Sequence, residues 1–221
     1  YTEGLNLEPN DIQSLYRRGR SYEELKMYDK AEKDYKKILD IDGKNVNAML
    51  SLSVHYIRDK NYLNAESYAK RATKLNPDSD DAHLLLGRSQ QYQGLFTDAI
   101  KSFKTITLIK PDYAEAFNKL GFAFQEQGKF EDAIEAYKKY ISIVPNNAFA
   151  YYNLGNVLQK QDKFNYAIDA YNEAIKINPN YAEAYCNLGV ALKSQGMLKE
   201  AIEAYKKSIL LKPNYYEDYQ N

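Results

Sequence analysis

Residues 178–192 read NPNYAEAYCNLGVAL, and the same pattern recurs upstream at a fixed interval. Thirty-four residues earlier, residues 144–158 read VPNNAFAYYNLGNVL, and another 34 residues earlier, residues 110–124 read KPDYAEAFNKLGFAF. Self-similarity at a period of this length is the signature of a repeat architecture. The sequence therefore predicts one continuous array of similar structural units.

The repeat is clearest when each unit is numbered from 1 to 34, with units starting at residues 12, 46, 80, 114, 148 and 182. Position 20 is alanine in all six units, and proline closes five of them at position 32. Position 8 is small and position 24 is aromatic in five units. The residues at position 8 are Gly19, Ser53, Gly87, Gly121, Gly155 and Gly189, and those at position 24 are Tyr35, Ala69, Phe103, Tyr137, Tyr171 and Tyr205.

These columns indicate two helices per unit. Apolar residues at positions 4, 7 and 11 share one face of a first helix. Glycine near position 15 suits a helix end, and proline at position 32 stops a second helix. We expect the small residues at positions 8 and 20 to let the helix backbones approach closely, so that the ring at position 24 fills the space between neighbouring units. No unit buries its apolar face alone, so each must stack on the next.

The pattern resembles the tetratricopeptide repeat (TPR) family over essentially the whole chain. This resemblance implies an all-α fold, a right-handed superhelical solenoid of antiparallel helix pairs. It places TPR units at residues 12–45, 46–79, 80–113, 114–147, 148–181 and 182–215. Residues 1–11 fit the end of a preceding unit and residues 216–221 the start of a following one, so we interpret the chain as part of a longer array.

Composition favours an intracellular, cytoplasmic protein. Thirty basic and thirty acidic side chains cancel, so no net charge attracts nucleic acid or an anionic membrane. A single cysteine cannot form a disulfide within the chain, and the sequence contains no N-glycosylation sequon. No apolar run approaches the ~18 residues that span a bilayer, so we expect no membrane insertion.

No motif indicates catalysis or metal binding. Cys186 holds position 5, where the other units carry unrelated residues, and both histidines are three to four units away, too distant in sequence to activate it. His55 and His83 have no second ligand at metal-binding spacing, so we expect both to be buried and hydrogen-bonded. Nucleotide-binding and hydrolase motifs are missing from the sequence. We therefore expect a non-enzymatic chain with no cofactor and no bound metal.

In the family that this chain resembles, ligands bind an inner surface formed by first-helix positions 2, 5, 6, 9, 12 and 13. The candidate partner-binding residues in the first three units are Arg17, Arg20, Arg58, Arg88 and Tyr92. Those in the last three units are Lys119, Phe122, Tyr152, Asn153, Asn156 and Asn187. Arginine beside apolar residues suits a protein or peptide partner that carries carboxylates and apolar anchors.

The asparagines suggest a second kind of contact and leave other functions open. An amide both donates and accepts, so Asn153, Asn156 and Asn187 can hold an extended peptide backbone whatever its sequence. This row resembles the asparagine ladder of the O-linked N-acetylglucosamine transferase, so one alternative is the substrate-recruiting arm of a glycosyltransferase-like enzyme. Another is a structural subunit of a large assembly, for example in a cilium. No three consecutive units supply the lysines and arginine of the chaperone-tail clamp.

Overall fold

A computed structural model of the chain describes residues 10–212. The partial repeats predicted at residues 1–11 and 216–221 lie outside this range, apart from residues 10 and 11. The described residues are all-α, with no strand among them, as the repeat pattern predicts. None of their helices is both long enough and apolar enough to cross a membrane.

Twelve α-helices follow one another in the described part of the chain, two per repeat. The first helices of the repeats are α1 (Ile12–Glu24), α3 (Val46–Arg58), α5 (Asp80–Tyr92), α7 (Ala114–Glu126), α9 (Ala148–Lys160) and α11 (Ala182–Ser194). The second helices are α2 (Tyr28–Ile41), α4 (Tyr62–Leu75), α6 (Phe96–Ile109), α8 (Phe130–Ile143), α10 (Phe164–Ile177) and α12 (Leu198–Leu211).

The helices belong to two compact units that meet in the sequence at Pro111 and Asp112. The N-terminal unit contains α1–α6, and the C-terminal unit contains α7–α12. Within each unit, every helix packs against the next helix in sequence, and the first helices α3 and α5, and α9 and α11, also touch. Each unit is thus a stack of three antiparallel helix pairs.

A glycine and an aromatic ring lie in contact at the centre of five helix pairs. A Cβ placed on Gly155 would lie 2.5 Å from Cε1 of Tyr171, and one placed on Gly87 would lie 2.5 Å from Cε1 of Phe103. The ring and its glycine belong to the same repeat. Tyr35 also joins a buried cluster with Leu52 of the next repeat, so the ring fills space both within and between repeats.

Repeat 2 departs from the pattern at both of these positions together. Ala69 replaces the ring, and Ser53 replaces the glycine. Without a ring at position 24 the serine side chain fits, and its Oγ donates a 3.0 Å hydrogen bond to the Ala65 carbonyl oxygen. The rings of Tyr56 and Tyr68 stack nearby in the sequence, with centroids 5.7 Å apart, and supply aromatic packing in this repeat.

The turn between the two helices of a repeat has the same backbone geometry in all six repeats. Position 15 has a positive φ, at Lys26 (56°), Lys60 (57°), Gly94 (75°), Gly128 (71°), Asp162 (55°) and Gly196 (75°). In repeat 1 the Met27 amide donates to the Tyr22 carbonyl, which closes the helix C-terminus. Three repeats therefore place a side chain in a backbone region that favours glycine.

The glycine–ring contact predicts the effect of one methyl group. We expect Gly155→Ala to lower the free energy of unfolding by about 1–3 kcal/mol, because the methyl must displace the buried ring of Tyr171. Guanidinium chloride unfolding followed by circular dichroism measures the change. Gly43→Ala is the control, since a Cβ there meets only the Leu39 carbonyl oxygen at 3.7 Å. Equal losses in the two variants would contradict this packing.

The positive φ at position 15 predicts that a change to glycine there raises the free energy of unfolding. We expect Lys60→Gly to raise the free energy of unfolding by roughly 0.5–1 kcal/mol. A side chain in the left-handed backbone region costs more free energy than the extra chain entropy that glycine loses on folding. The reverse change, Gly94→Lys, should lower stability although a Cβ there meets nothing within 4 Å. Thermal midpoints of both variants test this, and shifts of the same sign would refute it.

Candidate functional site

The first helices of the N-terminal unit enclose a cavity of about 330 Å³, here called cavity 1. Helices α1, α3 and α5 supply its lining, and every lining residue holds repeat position 2, 5, 6, 9 or 12. The lining residues are Tyr16, Arg20, Glu23, Asn47, Leu50, Ser51, Val54, Asp81, Leu84 and Leu85. The cavity therefore lies on the columns that the sequence singles out for partner binding.

The floor of cavity 1 is aliphatic. Leu84 and Leu85 are 8% and 7% exposed, and Leu50 packs against the buried cluster that contains Leu85. Val54 is 49% exposed, so an apolar group entering the cavity would cover it. This floor forms because the first helices α3 and α5 pack together and leave the cavity side uncovered.

The polar lining of cavity 1 carries charges of both signs. The Arg20 side chain is 60% exposed, and its Nε lies 3.7 Å from Oε2 of the half-buried Glu23. Asp81 is exposed, and no ion pair joins it to any other residue in the range 10–212. Burial, together with the Glu23 carboxylate, raises the pKa of Tyr35, whose hydroxyl therefore stays protonated.

The other arginine candidates do not line cavity 1. The Arg58 guanidinium lies 3.3 Å from the centroid of the Tyr28 ring, and Arg58 Nε donates to Asp59 at 2.8 Å. Arg88 is half-buried, and its Nε lacks a hydrogen-bond partner among the described residues. Arg17 is exposed. Tyr92 stacks on Tyr62 with ring centroids 4.9 Å apart, so its ring is already held within the unit.

In the C-terminal unit, two of the three candidate asparagines bind each other. Asn187 Nδ2 donates to Asn156 Oδ1 at 2.8 Å and to the Tyr152 hydroxyl at 3.3 Å. The Tyr171 hydroxyl donates to the same Asn156 Oδ1 at 2.9 Å. Because burial raises the pKa of Tyr171, this hydroxyl keeps the proton that it donates. A core ring at position 24 thus orients two groove amides.

Counting donors and acceptors shows which amide groups remain available. The Tyr171 hydroxyl has one proton, which it donates to Asn156 Oδ1 at 2.9 Å and shares with the more distant Gln159 Oε1 at 3.2 Å. Asn156 Oδ1 then accepts twice, and Asn187 Nδ2 donates twice. Asn156 Nδ2 and Asn187 Oδ1 have no partner within residues 112–212. One donor and one acceptor are therefore left side by side on contacting helices.

The remaining candidates of the C-terminal unit are Asn153, Lys119 and Phe122. Asn153 is half-buried and makes no side-chain hydrogen bond to the other described residues. Lys119 is half-buried, and Phe122 is 37% exposed. Sequence reasoning missed Phe149, which is 50% exposed at position 2. The signal was present, because the other five repeats carry a polar residue at that position.

The two histidines and the cysteine, which were considered for catalysis or metal binding, are at least half-buried in the fold. His55 is 4% exposed, and its Nδ1 accepts from Arg58 Nη2 at 2.8 Å. The expected burial of His83 is wrong, because this ring is half-buried while Nε2 contacts the Pro77 carbonyl oxygen at 2.9 Å. Cys186 is half-buried. No three His, Cys, Asp or Glu side chains between residues 10 and 212 gather as a metal site requires.

Further cavities lie on the second-helix side of the C-terminal unit, and the sequence did not predict them. One of about 820 Å³ includes Ile168, Leu192 and Ala204 in its lining, and one of about 620 Å³ includes Ile134, Leu158 and Ala170. These residues hold matching repeat positions. In the N-terminal unit the same positions carry hydrogen-bonded groups such as Gln90 and Ser102, joined at 2.9 Å.

Family models of the tetratricopeptide repeat match most of the chain. One matches residues 12–45 and 182–215, a second matches residues 56–120, and a third, described as a TPR repeat, matches residues 123–162 and 160–196. The matches together reach five of the six repeats over most of their length and part of the other. No curated protein matches the sequence.

Solved structures share the fold. A crystal structure of MamA is 27% identical, covers 79% of this chain and 96% of its own, and has a TM-score of 0.72. MamA from Desulfovibrio magneticus RS-1 is 18% identical, with coverages of 77% and 96% and a TM-score of 0.72. YrrB, described as a TPR protein with an unusual peptide-binding site, is 15% identical, with coverages of 82% and 94% and a TM-score of 0.70. With the repeat pattern, the helix pairs and the family matches in agreement, the chain belongs to the tetratricopeptide repeat family.

Proposed function

We propose that the chain is a non-enzymatic scaffold that binds an extended segment of a partner protein on the first-helix side of its repeats. The fold that it shares with YrrB is one on which a peptide-binding site has been described. That likeness concerns the fold alone, so the proposal depends on the residues of this chain. Among them, the available amide groups of Asn156 and Asn187 carry it.

A peptide backbone is the ligand that these amides fit. Asn156 Nδ2 can donate to a peptide carbonyl, and Asn187 Oδ1 can accept from a peptide N–H, so together they match the hydrogen-bonding groups of an extended strand. The Tyr171 hydroxyl fixes the Asn156 amide, and Asn156 in turn fixes Asn187. Because the amides are oriented before a ligand arrives, binding loses less side-chain freedom than it would with mobile asparagines.

The chemistry of the partner's side chains is a separate question. The expectation of an acidic partner depended on four arginines, and Arg58 is held by Asp59 and the Tyr28 ring. The acidic partner stays a prediction, with Arg17 and Arg20 as its exposed residues. The glycosyltransferase arm and the structural assembly stay predictions as well, since no contact described above bears on either.

Selection from a random peptide library displayed on phage, with the whole chain immobilised, tests the proposal. We expect enriched peptides whose affinity falls about two- to tenfold in Asn153→Ala and in Asn156→Ala, the range for one lost hydrogen bond. Fluorescence anisotropy of the labelled peptides measures the affinities.

Asn165→Ala is the matched control, because Asn165 is an exposed asparagine on the second helix α10. Its affinity should equal that of the unmodified chain. Circular dichroism must show that each variant is folded, and Asn153→Ala is the cleaner test because its side chain takes no part in the amide network. Enriched peptides that bind the unmodified chain and its three variants with equal affinity would refute the proposal that these amides bind a peptide backbone.

A further inference from the structure

Cavity 1 has room for an apolar side chain and an aliphatic floor for it to contact. Its volume of about 330 Å³ lies at the small end of the range for ligand pockets. Leu50, Leu84 and Leu85 close the bottom, and the exposed Val54 stands at the side. An aliphatic group that enters would remove these side chains from water, which is favourable in proportion to the apolar area covered.

The charges around the cavity distinguish between possible partners. Two carboxylates, Glu23 and Asp81, face one guanidinium, Arg20, so the lining has a net charge of −1. Arg20 and Glu23 partly neutralise each other at 3.7 Å. The negative charge that remains belongs to Asp81, on α5, at the opposite side of the cavity from α1.

Helix α5 does not need the Asp81 carboxylate to stabilise its N-terminus. Ser79 caps α5, with its Oγ accepting from the Ala82 amide at 3.2 Å. Asp80 supplies a second acidic group to the first turn and pairs with Lys110. The helix dipole still favours Asp81, but the cap and the neighbouring acid already supply that stabilisation. Its carboxylate is therefore available for a cation at the cavity edge.

Resting on the proposed function, we infer that cavity 1 binds an aliphatic side chain of the partner segment that is directly followed by a lysine or arginine. The aliphatic group occupies the leucine-lined floor, and the cation pairs with Asp81. Charge complementarity thereby selects a basic residue beside an apolar anchor. This adds side-chain selectivity to the backbone contacts of the C-terminal unit.

The equivalent positions of the C-terminal unit carry different residue types. Leu50, Ser51 and Val54 of repeat 2 correspond to Tyr152, Asn153 and Asn156 of repeat 5. Leu84 and Leu85 correspond to Cys186 and Asn187. Val54 and Leu85 of the N-terminal unit are thus replaced by asparagines in the C-terminal unit, whereas Leu50 and Leu84 are replaced by a tyrosine and a cysteine. In this inference, equivalent repeat positions bind a side chain in the N-terminal unit and a peptide backbone in the C-terminal unit.

Two synthetic probes test the inference on the whole chain labelled with 15N. Acetyl-Leu-Lys-amide should shift the amide resonances of Leu50, Ser51, Leu84 and Leu85, and it should bind about fivefold more tightly than acetyl-Leu-Glu-amide, as expected for one partly exposed ion pair. Equal affinity for the two probes, preference for the glutamate probe, or no shift at these residues would overturn the inference.

Charge variants locate the selectivity. Asp81→Asn should abolish the preference for lysine, and Asp81→Lys should reverse it, whereas Asp40→Lys, at an exposed position on α2, should leave it intact. Retained lysine preference in Asp81→Lys would overturn the inference. These probes do not use Asn153 or Asn156. The cavity 1 inference can therefore be refuted while peptide-backbone binding by the amides is supported, and the reverse result is equally possible.

Discussion

The contact between the glycine at position 8 and the ring at position 24 sets the geometry of most of the repeats. A Cβ on any of the five glycines would lie 2.5–2.7 Å from a ring carbon of its own repeat. In these five pairs the ring can therefore lie against the first helix only because position 8 carries no side chain. The fully buried alanines at position 20, such as Ala133 and Ala167, leave further space beside the ring. With the pair fixed in this way, its first helix holds positions 2, 5, 6, 9 and 12 on the side proposed for binding.

Departures from the repeat pattern are compensated within the same repeat. Ser53 accompanies Ala69, as the loss of a ring makes room for a hydroxyl. Arg18 replaces the leucine of position 7, and it binds the buried Asp34 of position 23 through two contacts of 2.6 and 2.8 Å. These pairs maintain packing and hydrogen bonding within their own repeats. A deviation in one column is therefore weak evidence of a functional site until its partner column has been compared.

The sequence predicts the helix pairs well and the binding surface less well, for physical reasons. A 34-residue period fixes which columns are buried, and Gly155 and Ala167 are buried as expected. Small side chains give a weaker periodic signal, so the burial of Ala48 and Ala150 at position 3 escaped notice. The partners of Asn156 are 15 and 31 residues away, in different columns, and no single column shows such a contact. The repeat columns predict where the proposed binding surface lies, whereas the groups available on it depend on contacts between columns.

The Tyr171 hydroxyl joins the hydrophobic core to the proposed binding face. Its ring is fully buried against Gly155, while its proton holds the Asn156 amide. A ligand that engages Asn156 therefore stabilises the packing of α9 against α10, and by thermodynamic linkage anything that loosens this helix pair weakens the ligand. The ligand affinity and the free energy of local unfolding of repeat 5 are therefore thermodynamically linked. Under the proposed function, a core substitution that never touches the first-helix surface therefore weakens partner binding.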